Sequence, residues 1–355
     1  MGQTSEAIET IIDILIGGKN PLILGPPGCG KSMCLMPGGE VFNALAEYED
    51  TDPSEFGFVD LRPCVMDVSD YRGYPFPNKE TKTTEWFVPD FLPTDPSSKG
   101  LLVIEEIMNA PRGHHHALYQ LTQERRLGDY ILPDGWYIAA TGNRAEDGCG
   151  VSKLPTALVN RFICVDFLPD AKDWGEWAGQ HGVDYRVIAA TRWHPDFIEA
   201  FDGKISEPQS TGRSVTAFAQ IFERSNITPT RSDKNGQSRR IFRMAKGAMG
   251  EDDAGRMTAF LSIFARLPDV DAIVNGVSET VDVPKEIDVQ IATIAQLAKM
   301  SSPDNIGNIL RWVSRTTDTM KIVFASDIET VTANALARDT ADYRDWRIAN
   351  SKLFE

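Results

Sequence analysis

The chain has 355 residues, more than one hydrophobic core ordinarily serves, so two or three compact units are expected. A hydrophobic share of 42% suits globular packing, and no apolar run approaches the roughly twenty residues of a membrane span. The formal charge of −15 disfavours wrapping a polyanion, because nucleic-acid affinity rests on Lys and Arg neutralising phosphates; a protein partner is the stronger expectation. Cys29, Cys34, Cys64, Cys149 and Cys164 are scattered without CxxC pairing or neighbouring His, which argues against a zinc site and against a disulfide scaffold. Residues 1–16 carry no basic leader or cleavage site, so a soluble cytoplasmic protein is expected.

In chain order, Ile8, Ile11, Ile12 and Leu15 recur at helical spacing and predict an amphipathic helix over 5–16. The apolar run 21–24 then leads into Gly25, Pro26, Pro27, Gly28, Cys29, Gly30, Lys31 and Ser32, a complete GxxxxGK[ST] phosphate loop between a short strand and a helix. Glycines let successive N–H groups turn inward around a phosphate, and the helix N-terminus adds its positive dipole. Lys31 is expected to reach the β/γ oxygens of a nucleoside triphosphate and Ser32 to ligate Mg2+. A plain strand-to-helix turn would not need both the lysine and the hydroxyl at these offsets. Pro37, Gly38 and Gly39 follow closely, so the first helix should kink or restart near Glu40.

Further buried strands are predicted over 57–66, 101–105, 136–141 and 162–167. With intervening helices they make a mostly parallel, three-layer α/β sheet with its ligand at the carboxyl ends of the strands. Two interruptions read as hairpins, 71–91 and 126–136, the second turning at Pro133-Asp134-Gly135. Tyr74, Phe76, Trp86 and Phe87 are expected to pack on the domain's own surface, with partner contact as the alternative. From about 168 the pattern is helical, over 173–180, 185–200 and 214–222; a polar insert at 225–238 reads as loop, and helices follow over 251–266, 286–299, 303–317 and 330–350.

Residues 101–104 end in Glu105 and Glu106, the pattern of a Walker B strand. Glu105 should hold Mg2+, partly through water, and Glu106 should orient the attacking water. A glutamate in place of the usual aspartate lengthens the metal-side arm by a methylene, against a cation that demands tight octahedral geometry. This puts hydrolysis under a stricter condition than binding. Asn143, closing the next strand, is placed to reach the water between the γ-phosphate and Glu106. His114, His115 and His116 point in different directions on a helix and read as a polar helix surface or subunit contact. Arg125 and Arg126 face either a neighbour's nucleotide or a pore.

The order of these motifs resembles the AAA+ ATPases, and their wording the MoxR-like branch: DVSDYRGYP at 67–75, WFVPDFLP at 86–93, EEIMNA at 105–110, QERRLGDYILP at 123–133, TGNR at 141–144 and LPTALVNRF at 154–162. Residues 247–268 and Val283-Pro284 extend the likeness almost to the C-terminus. The resemblance implies an AAA+ domain over 1–167, a helical lid over 168–275 and a C-terminal helical region over 276–355. It implies ATP and Mg2+ as ligands, a homo-oligomeric ring of six, and chaperone-like remodelling of a protein partner, a von Willebrand factor A domain protein among such partners. Arg161 would then act on a neighbouring subunit's nucleotide, and Arg213, in the Thr211-Gly212-Arg213-Ser214 segment, would report the γ-phosphate to the lid. Catalytic candidates are therefore Glu106, Asn143, Arg161 in trans and Arg213. A nucleic-acid motor or restriction component, a nucleotide-gated scaffold with little turnover, and a phosphoryl-transfer kinase are the alternatives.

Overall fold

The computed structural model of the chain describes residues 2–71, 73–144, 147, 154–203, 207–227, 236–330 and 335–354. Cys149 and residues 228–235 of the polar insert lie outside the described residues. The chain divides into two compact units, Met1–Pro169 with Asp202–Lys204, and Asp170–Phe201 with Ile205–Glu355.

The first unit contains β1 (Pro21–Leu24), β2 (Gly57–Leu61), β3 (Tyr74–Asn78), β4 (Thr83–Phe87), β5 (Gly100–Ile104), β6 (Arg126–Leu127), β7 (Tyr130–Ile131), β8 (Trp136–Gly142) and β9 (Ile163–Asp166). Its helices are α1 (Gln3–Ile16), α2 (Lys31–Leu35), α3 (Glu40–Tyr48), α4 (His115–Glu124) and α5 (Thr156–Val159). Five strands form one sheet in the order β2-β5-β8-β1-β9, and every pairing in it is parallel. Side chains alternate across it: Leu22, Leu102, Ile104, Ile138 and Ala140 pack beneath Leu118 and Leu121 of α4. Ile23, Leu101, Val103 and Ala139 pack instead against Ile11, Leu15 and Phe42 of α1 and α3. A parallel strand buried on both faces needs a continuous apolar run, which is why the central strands β1 and β5 and most of β8 are unbroken. This is a three-layer α/β arrangement, a parallel sheet with helices on both sides and the glycine-rich loop after β1, followed by a helical region.

The first helix does break. α2 ends at Leu35 before Pro37, which lacks the N–H to continue it, and α3 restarts at Glu40. The restart brings Phe42 edge-on to Phe56 and Phe58, with ring centroids 5.1 and 6.1 Å away.

Both hairpins exist, with two corrections. β6 and β7 pair Arg126 with Ile131 and Leu127 with Tyr130, so the turn is at Gly128-Asp129, where Gly128 adopts φ 60°. Pro133-Asp134-Gly135 instead leads into β8, with the Trp136 N–H on the Pro133 carbonyl at 3.1 Å. On the β3–β4 hairpin the aromatic rings do not fold back on the domain: Tyr74, Phe76 and Phe87 are 80%, 60% and 59% exposed. They share one face of the ribbon, where Phe76 and Phe87 meet edge-on at 5.3 Å.

The second unit is helical: α6 (Ala171–Gln180), α7 (Tyr185–Trp193), α8 (Asp196–Glu199), α9 (Gly212–Arg224), α10 (Gln237–Met249), α11 (Glu251–Ile263), α12 (Val270–Val274), α13 (Ile287–Met300), α14 (Ile306–Val313), α15 (Asp318–Thr330), α16 (Ala335–Arg338) and α17 (Ala341–Ala349). One core, including Phe218, Phe260, Trp312 and Phe324, runs through it. The expected helix over 185–200 is two helices, because Pro195 pushes His194 out of helical geometry to φ −128°, ψ 76°. Three helices were not anticipated, α10, α12 and α15. Among the described residues no helix is long and apolar enough to cross a membrane.

Phe42→Ala is expected to lower the unfolding free energy by about 3–5 kcal/mol, the usual cost of emptying a buried aromatic site. Phe76→Ala on the exposed hairpin face should change it by about 0.5 kcal/mol or less. Chemical denaturation of the two variants checks this contrast.

Candidate functional site

The carboxyl ends of β1, β5 and β8 lie side by side, and the sequence places a charged or polar group at each. After β1 the phosphate loop turns through Gly28 at φ 76° and Gly30 at φ 108°, conformations in which a Cβ is strained. Lys31 opens α2 and is only 8% exposed. Burying an ammonium requires partners. Its Nζ donates to the Gly25 and Pro26 carbonyls, both at 2.8 Å, and to Asn143 Oδ1 at 3.2 Å. Asn143 therefore comes to the loop lysine from the end of β8; among the described contacts no hydrogen bond joins it to Glu106. Ser32 follows, half-buried, in the first turn of α2.

Within the loop the Cys29 thiol lies 3.8 Å from Lys31 Nζ and donates to the Phe167 carbonyl at 3.7 Å. Burial pushes its pKa up, and the lysine charge opposes this only in part. Cys29 is thus a neutral space-filling thiol, as is fully buried Cys34, whose pKa is also raised by burial.

After β5 the two acids diverge. Glu105 is 7% exposed, its backbone N–H on the Leu61 carbonyl at 2.8 Å. Its Oε2 accepts the Thr141 hydroxyl at 2.5 Å. Glu106 is exposed and adopts a left-handed backbone, φ 54°, ψ 41°. Non-glycine residues enter that region only when held there. Three hydrogen bonds hold it: its N–H to Thr141 Oγ1 at 3.2 Å, its carbonyl from the Asn109 N–H at 2.8 Å, and its Oε2 from Asn109 Nδ2 at 3.1 Å. Thr141 and Asn109 carried no role in the sequence reading, although both stand inside quoted motifs.

Arg161 is not at this cluster. It follows α5, with Nη1 donating to the Ala157 carbonyl, its guanidinium 4.8 Å from the centre of the Tyr119 ring, and Nε buried without a hydrogen-bond partner. It lines a cleft of about 1210 Å3 between the β3–β4 hairpin and α4, and no phosphate-loop residue lines that cleft. Arg213 belongs to the second unit, exposed in the first turn of α9.

Two other expectations are corrected. His114 and His115 are buried and do not make a polar helix surface: His114 Nδ1 is 3.0 Å from the Tyr71 hydroxyl, and only His116 is exposed. Among the described residues no three His, Cys, Asp or Glu side chains converge as a metal cage. Arg125 faces neither neighbour nor pore, because its Nη2 donates to the Pro133 and Trp136 carbonyls at 2.8 and 2.6 Å. Arg126 likewise turns back, its Nε on the Gly128 carbonyl at 2.9 Å.

No family model and no curated protein matches the chain. Among solved structures it is similar to the RuvB Holliday junction branch migration motor of Thermotoga maritima, at 14% identity over 93% of this chain and 87% of that one, TM-score 0.35. It is also similar to NtrX from Brucella abortus, at 12% identity over 92% of this chain and 68% of that one, TM-score 0.38. The fold itself stands on the strand order and loop placement described above.

The base of α9, which carries Arg213, is tied down by Arg256 of α11. Arg256 reaches Asp196 at 2.5 and 2.7 Å, Asp253 at 3.0 Å and His194 Nδ1 at 2.8 Å. Asp253 also accepts the Ser210 hydroxyl, one residue before the Thr211 cap of α9, at 2.5 Å. Burial, then the Arg256 charge, holds the His194 pKa below its ordinary value, against the opposing pull of Asp196 and Asp253. Above pH of about 6.5, where unfolded imidazole is neutral, the contribution is fully present. As pH falls through that value the unfolded chain takes up a proton that the folded chain resists, and stability is lost. Thermal unfolding between pH 8 and 5 should show this loss in wild type and a shallower one in His194→Asn; equal slopes would refute a neutral imidazole there.

Proposed function

We propose that the chain is an ATPase of the MoxR-like AAA+ type, which hydrolyses ATP at the subunit interfaces of a homo-oligomeric ring of six and uses the cycle to remodel a partner protein. The observation that carries the reading is the convergence of Lys31, Asn143, Glu105 and Glu106 at adjoining strand ends around a glycine-rich loop. Lys31 would exchange its carbonyl partners for β- and γ-phosphate oxygens, which hold an ammonium more strongly because they are charged. The loop N–H groups and the α2 N-terminus supply the remaining phosphate contacts.

The donors near the loop, the Ser32 hydroxyl and the Glu105 carboxylate, are hard oxygens of the kind Mg2+ selects, and a cation held partly by substrate phosphates needs no all-protein cage. Ser32 and Glu105 would hold it, Glu105 partly through water. When bound, Mg2+ neutralises charge on the β- and γ-phosphates. Glu106, exposed and held in its left-handed turn, orients a water for in-line attack on the γ-phosphorus and takes its proton as the bond to the β-phosphate oxygen breaks, giving ADP and phosphate. Asn143 fixes Lys31 and the water.

Arg161 stands on a cleft away from its own loop, which favours action on a neighbouring subunit's γ-phosphate. Arg213, exposed at the base of α9, is read as the residue by which a lid over 168–275 senses the nucleotide, with 276–355 as a C-terminal helical region. A partner carrying a von Willebrand factor A domain fits the MoxR likeness.

Glu106→Gln is expected to bind ATP as wild type does while lowering turnover by about 100-fold or more; wild-type turnover would remove Glu106 from the chemistry. Arg161→Ala subunits titrated into wild type should depress activity beyond dilution. A strictly proportional loss would end the trans assignment.

A further inference from the structure

We propose that Thr141 is a positioning residue that makes a glutamate workable where this kind of site ordinarily carries an aspartate. The inference rests on the reading of Glu105 as the metal-side carboxylate and names what holds it. Thr141 is 1% exposed, in the penultimate position of β8, one residue beyond the Ile104–Ala140 register pair. That register brings its hydroxyl to the β5 terminus, where it donates to Glu105 Oε2 at 2.5 Å and accepts the Glu106 N–H at 3.2 Å. A hydroxyl has one proton and two lone pairs, so a single group donates to the Glu105 carboxylate and accepts the Glu106 backbone N–H.

The longer arm of glutamate adds one rotatable bond, and a carboxylate free to sample more rotamers pays more entropy to hold a cation in tight octahedral geometry. Thr141 removes that freedom by occupying one carboxylate oxygen, Oε2, so that Oε1 would be the oxygen to meet a cation. The same hydroxyl caps the N–H of Glu106, so the metal-side arm and the left-handed turn of the water-side acid are set by one atom. Asn143, two residues on, ties the same strand end to Lys31. β8 therefore fixes the loop lysine and both acids, and Thr141 is the member of that set with no role of its own toward the nucleotide.

The test measures cation affinity directly, with Mn2+ titrated by electron paramagnetic resonance into full-length protein holding a non-hydrolysable ATP analogue. Glu105→Gln is the control for the underlying reading and should weaken Mn2+ by about tenfold or more. Thr141→Val, near-isosteric but without the hydroxyl, should also weaken Mn2+ by about tenfold while analogue affinity measured without metal stays at the wild-type value. Thr141→Ser should restore most of the affinity. Glu105→Asp is too short to reach the hydroxyl, so adding Thr141→Val to it should cost less than twofold. If Thr141→Val does not fold, Thr141→Ala deletes the same hydroxyl with less demand on shape. Should Glu105→Gln leave Mn2+ affinity unchanged, the reading of Glu105 fails; should it weaken Mn2+ while both hydroxyl-deleting variants bind as wild type, Thr141 has no such role.

Discussion

A buried ammonium and a buried carboxylate stand at neighbouring strand ends, and neither tolerates burial without partners. Lys31 finds two loop carbonyls and the Asn143 amide, and Glu105 finds the Thr141 hydroxyl. One partner of each, Asn143 for Lys31 and Thr141 for Glu105, comes from the end of β8, which lies between β5 and β1 in the sheet. The parallel register of that strand is thus the constraint on which the site depends. A slip of one residue would turn Thr141 to the opposite face, leaving Glu105 without its hydroxyl donor and displacing Asn143 from Lys31.

The apolar packing serves that register. α4 covers one face of the sheet, and α1 and α3 cover the other. The restart of the first helix at Glu40 is part of this support: it lets α2 point its N-terminus at the loop while α3 swings Phe42 into the core. Separating these two tasks is what the Pro37-Gly38-Gly39 break accomplishes.

Much of this was legible in the chain. Continuous apolar runs marked β1, β5 and β8, because a strand buried on both faces leaves no alternative pattern; the edge strands β2 and β9 showed through their β-branched and aromatic residues, and the loop spacing gave Lys31 its place. The helical region was harder to read. α15 buries Met320, Phe324 and Ile328 at steps of four, but Asp327 is buried as well and Ile322 is 41% exposed, which blurs its amphipathic period. α10 did carry one, Ile241, Ala245 and Met249 at steps of four, but it begins directly after a polar stretch that drew attention away from it. Thr141 was invisible as a functional residue for a different reason. Nothing local says that a hydroxyl on one strand will meet the acid of another; only the register Ile104 to Ala140 says so. Arg125 was misassigned because a charged residue at a hairpin base looks available, whereas its left-handed backbone aims it at two carbonyls of the same turn.

The β3–β4 ribbon stands exposed with rings on one face, which would ordinarily invite edge-to-edge aggregation. Its sequence carries Pro75 and Pro77 in alternate positions of β3, opposite Trp86 and Thr84. Alternate residues of an antiparallel strand point their N–H groups outward, and here those residues have none to offer. The free edge of β3 is therefore a row of acceptors without donors, a poor template for a growing sheet. A sticky surface is displayed on this ribbon with one of its two edges made chemically mute.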